Sequence, residues 1–263
     1  METNDNYYIE KKCPACGKLS SGKYCMHCGE LLEHERITVK HFAKSVPAVF
    51  FNVGNTFFRT VFELMKQPGH MVKKYFAGNR LHHYKPINFF LFIGGIVALL
   101  FISFHIQPAD TKIFENLIND KELASQLDNF NSHYLTAILF VQFPIAAFFT
   151  WLFFRKREHY FGEHLVANAF FIGEVSLYKI ILFPAYLVVN QTSTVDTLDD
   201  IYSLLVIGYY VYAFYDWLYD RKTWKGFFII LFFVVLLYLF IMTLTIFLVP
   251  ALYFIKQGIS GLF

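Results

Sequence analysis

Residues 227–255 contain no Asp, Glu, Lys or Arg. A helix through this run is longer than the hydrocarbon core of a bilayer is thick, so it must tilt, break near Pro250 or project beyond the core. Hydrophobic residues make up 56% of the chain, aromatics 20% and charged residues only 16%, with Phe alone contributing 33 of 263 positions. Because the apolar residues fall in long uncharged blocks, the pattern points to membrane spans rather than an oversized aqueous core. Five such blocks are expected to cross the bilayer, at about 86–106, 134–154, 165–189, 201–219 and 227–255. The expected fold is therefore an all-α polytopic membrane protein. Pro144 is expected to kink the second span, and Gly94 and Gly95 offer a close-packing point on the first.

The charges between these blocks alternate in sign. The connector 66–85 carries Lys66, Lys73, Lys74, Arg80 and Lys85 with no acid, spans two and three are separated by Arg155, Lys156 and Arg157, and spans four and five by Arg221, Lys222 and Lys225. The other two loops are acidic, with Asp110, Glu115, Asp120, Glu122 and Asp128 in one and Asp196, Asp199 and Asp200 in the next. The excess of Lys and Arg on cytoplasmic loops orients the amino terminus to the cytoplasm and, with five spans, the carboxyl terminus outside. The opening residues lack the apolar core of a secretory signal peptide, so an uncleaved start is expected. The basic connector is also suited to touch anionic lipid headgroups.

All four cysteines precede residue 29 in the spacing C-x2-C-x8-C-x2-C, as Cys13, Cys16, Cys25 and Cys28. Two such knuckles surround one Zn2+ with four thiolates and leave no open position for water, which makes the site structural. A redox-active dithiol pair or an iron–sulfur centre are the alternatives. A reducing cytoplasm suits thiolates better than disulfides, in agreement with the charge-based orientation. The segment has few basic residues beyond Lys11, Lys12, Lys18 and Lys23 and no aromatic–basic interleaving, which argues against nucleic acid as a partner. A small zinc ribbon over residues 1–33 is the expected head, with metal standing in for a hydrophobic core.

Residues 34–85 form the next unit. Val46, Val49, Phe50, Val53, Phe57, Val61 and Leu64 recur at helical spacing, with Asn52, Thr56, Arg59, Glu63 and Lys66 on the other side. Pro47 fits the start of this helix, and Pro68-Gly69 its end. One reading lays the apolar stripe in the headgroup boundary as an interfacial helix; the other packs it on the transmembrane bundle. His82 and His83 lack a partner at ligand spacing, which argues against a second metal site. The transmembrane unit is then 86–263.

Span three carries Glu174 and Lys179 at depths where charge is costly and normally faces protein or water. They stand five residues apart, about 140° around a helix, so they do not form a direct pair, whereas Glu174 and Tyr178 share a face. With Asn168 they make a candidate intramembrane polar site, to which Gln142, Ser176, Tyr209, Tyr210 and Tyr212 are possible additions. A second candidate, on the cytoplasmic face, is His159, Glu163, His164 and Asp216. Its H-x4-H spacing is not that of a zinc protease, and no paired acids or nucleophile accompany it. No catalytic residue is assigned.

The CPACG and YCMHCG knuckles, the block TFFRTVFELMKQPGHMVKKYFAGNRLHHYKPINFF and the later EHLVANAFF together resemble the DUF3667 family of uncharacterised bacterial membrane proteins. The resemblance rests on Thr56, Pro68, Gly69, Gly78, Arg80, Tyr84, Pro86, Glu163 and His164. It implies an integral membrane protein with a cytoplasmic zinc-ribbon head and supplies no reaction. Three functional readings follow: a noncatalytic scaffold whose zinc head docks a cytoplasmic protein, a small transporter or lipid-handling protein using the region of Glu174, and an enzyme at the His159, Glu163, His164 face.

Overall fold

The computed structural model describes residues 10–32, 54–104, 114, 117–157, 159–189, 194–219 and 223–260. Val46, Pro47, Val49, Phe50, Asn52 and Val53 lie outside them. A two-stranded antiparallel sheet, β1 (Lys11–Lys12) and β2 (Leu19–Ser20), pairs Lys11 with Ser20 and Lys12 with Leu19. Seven helices follow among the described residues: α1 (Asn55–Lys66), α2 (Pro68–Phe76), α3 (Pro86–Ser103), α4 (Lys121–Phe154), α5 (Phe161–Val189), α6 (Thr194–Leu218) and α7 (Trp224–Ser260). A 3-10 turn, Arg155–Arg157, closes α4.

Three of these helices are long and apolar enough to cross a membrane, namely α3, α5 and α7 over Trp224–Gly258. Their outward faces carry Leu99, Ile181, Val188, Phe232 and Phe247, all exposed. A soluble protein rarely leaves so much large apolar surface uncovered, and acyl chains are its natural solvent. The molecule is thus a membrane-embedded, mostly helical protein.

Helices α4, α5, α6 and α7 form a ring in which each packs on two neighbours, α4 on α5, α5 on α6, α6 on α7 and α7 back on α4; neither diagonal pair packs closely. Outside the ring, α3 lies along α5 in the most extensive helix contact of the molecule. Aromatic side chains fill the seams: Phe149 stacks on Phe240 at 4.6 Å, and Phe154 meets Phe233 edge-on at 4.7 Å. Helix α4 starts well before residue 134 because Asp120 caps it, its carboxylate accepting hydrogen bonds from the amides of Glu122 (3.0 Å) and Leu123 (3.2 Å). Acidic residues that read as loop are therefore the favourable first turn of a helix. Helix α7 continues past Pro250 to Ser260 without breaking.

Helices α1 and α2 make a short hairpin against the bundle. Helix α1 ends at Lys66, just before Pro68-Gly69 as expected, and Pro68 begins α2 at the first helical position, where its missing amide hydrogen and fixed φ are no handicap. The stripe Phe57, Val61 and Leu64 is buried against the bundle rather than turned outward, with Phe57 edge-on to Tyr84 at 5.6 Å and to Phe92 at 5.6 Å. On the other side of the helix Phe58, Phe62 and Met65 form a second apolar row, and this one is exposed. A polar clasp fixes the hairpin to the connector before α3. The Thr60 hydroxyl accepts from the Tyr84 amide at 2.8 Å, and buried His83 bonds through Nδ1 to the Asn79 carbonyl (2.7 Å) and through Nε2 to Glu63 (3.0 Å). Burial works to raise the Glu63 pKa, but hydrogen bonds from His83 and Arg59 outweigh it and hold the carboxyl below its ordinary value. His83 is accordingly a structural clasp.

Close backbone approach occurs elsewhere than at Gly94 and Gly95, which have open space where a side chain would begin. At Gly69 a Cβ would stand 2.1 Å from the Trp217 amide nitrogen and 2.2 Å from the Asp216 carbonyl carbon, and at Gly173 it would stand 2.5 Å from the Phe89 ring. Only glycine lets α2 cross the end of α6 at this range. Gly69→Val is therefore expected to lower the melting temperature of the detergent-solubilised protein, by an overpacking cost of about 1–3 kcal/mol or more, whereas Gly94→Ala leaves it unchanged. Equal melting temperatures for the two variants would contradict the crossing.

Candidate metal centre and intramembrane cavity

The two knuckles of the head repeat one another bond for bond. The amide of Cys13 donates to the carbonyl of Lys18 (2.9 Å) and that of Cys25 to Glu30 (2.7 Å), while Gly17 donates back to Cys13 and Gly29 to Cys25, each at 2.9 Å. The flanking pairs match as well, Lys12 with Leu19 and Tyr24 with Leu31. Gly17 and Gly29 have φ of +74° and +76°, the left-handed conformation that closes each knuckle and that a β-carbon would strain.

This duplicated turn brings four sulfurs together. All ligand atoms of Cys13, Cys16, Cys25 and Cys28 lie within 4.8 Å of one another, with Cys13 to Cys28 at 3.5 Å and Cys16 to Cys25 at 3.6 Å. A disulfide needs about 2.05 Å, whereas a tetrahedron of thiolates at about 2.3 Å from a metal has edges of about 3.8 Å. The cluster therefore has the geometry of a four-thiolate metal centre. Cys13 and Cys25 are buried, and Leu32 packs beside them as part of a very small apolar core. The head is also tied to the rest of the chain: the buried Glu30 carboxylate accepts from the Leu81 amide at 3.0 Å, in the connector between α2 and α3.

At the basic ends of the helices, His159, Glu163, His164 and Asp216 fall into two partly joined groups. His159 Nδ1 lies 3.1 Å from Glu163 Oε2, which also accepts from the Tyr160 amide at 3.1 Å. His164 is fully buried one turn further in, its ring 6.1 Å from that of His159 and 4.9 Å from Trp217. Asp216 turns away, accepting from the His70 amide at the start of α2 at 3.1 Å. Thr150, a residue that no motif marks, organises the inner group. Its hydroxyl donates to the Ala147 carbonyl (2.8 Å) and so must accept from His164 Nδ1 (3.2 Å) and Asn168 Nδ2 (3.0 Å). That assigns the His164 proton to Nδ1 and leaves Nε2 buried without a hydrogen-bond partner, beside a Trp217 indole nitrogen in the same condition.

In the middle of the bundle a cavity of about 230 Å³ occupies the space that the loose diagonals of the ring leave open. Its wall is mainly apolar, including Val97, Phe143, Ile207 and Leu237, but Asn168 and Lys179 of α5 open onto it, as do Gln142 of α4 and Tyr202 and Tyr210 of α6. The Lys179 ammonium lies over the Tyr202 ring at 4.9 Å and the Phe101 ring at 5.6 Å. Glu174 does not reach this cavity. It is fully buried on another face of α5, where Tyr178, one turn on, and Tyr209 of α6 lie within electrostatic reach of its carboxyl group. Asn168 and Lys179 thus belong to one site, and Glu174 and Tyr178 to another.

These features define a multi-pass membrane protein with a four-cysteine metal-binding head. A family model described as "Protein of unknown function (DUF3667)" matches residues 55–98. The matched stretch is α1, α2, the connector and most of α3, and it contains Thr56, Pro68, Gly69, Gly78, Arg80, Tyr84 and Pro86, whereas Glu163 and His164 lie beyond it. No curated protein and no solved structure matches the chain.

Because Thr150 serves two buried groups at once, Thr150→Val strands the His164 Nδ1 donor. It is expected to cost about 1–3 kcal/mol, seen as a lower melting temperature, which Thr150→Ser restores. A valine variant as stable as the wild type would contradict this hydrogen-bond arrangement.

Proposed function

We propose that this chain is a small lipid-handling or transport protein that holds an amphipathic molecule in its central cavity, with an acidic or carbonyl-bearing headgroup on Lys179 and Asn168. The observation that carries this reading is a mainly apolar space bounded by all four helices of the ring with one ammonium group in its wall. At about 230 Å³ it exceeds the ~150 Å³ that accepts benzene and falls short of the ~300 Å³ at which drug-sized sites begin. It therefore suits one ring or an acyl segment. A buried lysine over aromatic faces is a partly desolvated cation, which favours an anionic partner more strongly than an exposed lysine would.

The remaining features fit around this site. The head is a structural zinc ribbon on the cytoplasmic side of a bacterial inner membrane, α3 to α7 supply five spans, and the carboxyl terminus is external. Support comes from the alternation of basic and acidic connections, since the basic ones adjoin the starts of α3, α5 and α7 and the ends of α4 and α6. A second reading, in which the head docks a cytoplasmic protein, draws on Leu19, Tyr24 and Met26, large apolar side chains that the small head leaves exposed.

Two measurements test these assignments. A fluorescent long-chain fatty acid is expected to bind the purified protein, with Lys179→Met or the cavity-filling Ala146→Phe weakening it at least about ten-fold, or ~1.4 kcal/mol, and Glu174→Gln leaving it within about two-fold. Absent binding, or equal binding by all variants, would overturn the cavity reading. Metal analysis is expected to find one zinc per chain, and Cys13→Ser with Cys16→Ser to raise amide exchange over residues 10–32 while the helices stay folded in the membrane. Loss of membrane insertion in that variant would contradict a modular head.

A further inference from the structure

The hairpin of α1 and α2 encloses a groove of about 280 Å³ whose wall includes Lys66, Gln67, His70 and Lys74, with Phe62 at its rim and Glu63 at its side. The Glu63 carboxylate is already engaged, by Arg59 at 2.8 Å and His83 at 3.0 Å, and it lies 4.0 Å from the Lys74 ammonium. The groove therefore keeps net positive charge, and the stretch 66–85 adds Lys73, Arg80 and Lys85 without a single acid. Asp216, the nearby acid of α6, is held by the His70 amide.

The depth of the hairpin says what the groove meets. The Tyr209 and Tyr212 hydroxyls donate to the carbonyls of Leu64 (3.4 Å) and Lys66 (2.5 Å), and Tyr75 packs edge-on against Phe170 at 5.3 Å. The groove itself lies nearer the basic helix ends: Lys66 meets Tyr212 six residues before the end of α6 and His70 meets Asp216 two before it, or about 9 and 3 Å along the helix. A headgroup zone about 5–7 Å deep above the hydrocarbon core brackets that range. On the same helix as Lys66, the exposed row Phe58, Phe62 and Met65 is at i, i+4 and i+7 spacing. A cationic groove beside an apolar row at this depth matches one molecule with both parts.

We propose that this groove is a binding site for the phosphate of an anionic membrane phospholipid, with Lys66 and Lys74 on the phosphate and Phe58, Phe62 and Met65 against the first acyl methylenes. The site is separate from the central cavity and does not depend on it.

The test uses the full chain in nanodiscs of phosphatidylglycerol mixed with phosphatidylcholine, with retained lipid counted by native mass spectrometry after transfer to detergent. The wild type is expected to retain phosphatidylglycerol at least about five-fold over its share of the mixture, and Lys66→Gln with Lys74→Gln to abolish that enrichment. These two side chains carry no core packing, and an unchanged melting temperature verifies the fold. Phe58→Ser with Phe62→Ser is expected to lower total retained lipid while the residual preference for phosphatidylglycerol persists. An enrichment that the lysine variant does not change would overturn the proposal. So would displacement of the lipid by millimolar inorganic phosphate alone, which would make the groove a free-phosphate site.

Discussion

The seating of the α1–α2 hairpin depends on one backbone contact, the passage of Gly69 over the peptide joining Asp216 to Trp217. With α2 seated there, Asp216 meets the start of α2 through the His70 amide, and Tyr209 and Tyr212 can reach the carbonyls at the end of α1. That seating carries the hairpin against α3, α5 and α6 together and lets Phe57, Val61 and Leu64 join the same core as Phe170 and Phe214. A side chain at residue 69 would push the hairpin away, and the hydrogen bonds around it would lose their geometry together rather than singly.

Inside the membrane the governing constraint is the helical angle between charged residues. Glu174 and Lys179 sit on one helix but address different neighbours, one beside Tyr178 and Tyr209, the other into the centre of the ring. A pair set four residues apart could have satisfied itself along the helix surface. Five apart, they do not share one stripe of the helix, and the Lys179 ammonium stands in the wall of the central space.

Much of this was legible in the sequence. Cysteine spacing pointed to the metal centre, because a knuckle is a local structure whose bonds span five residues. Long apolar runs marked α3, α5 and α7, because length and composition suffice to recognise a helix that lies in lipid. What sequence could not convey depended on residues distant in the chain. Gly94-Gly95 looks like a packing motif and Gly69 looks like part of a turn, yet which glycine is crowded is decided by what crosses it. Thr150 carries no signal until His164 and Asn168 are brought to it. The row Phe57, Val61 and Leu64 was visible as a stripe, but the competing row Phe58, Phe62 and Met65 decides which side faces protein, and periodicity alone does not rank two apolar faces. The cavity reflects the unpacked diagonals of a ring, a property of no single helix.

Glu30 gives the head a mechanical meaning. It follows the second knuckle directly, its carbonyl closing that knuckle onto Cys25 and its carboxylate holding the Leu81 amide. The same residue thus closes the turn that presents Cys25 and Cys28 to the cluster and holds the connector that leads into α3. The head is a latch on the membrane domain rather than a tethered bead, and the order of the thiolate cluster and the shape of the connector become two readings of one state.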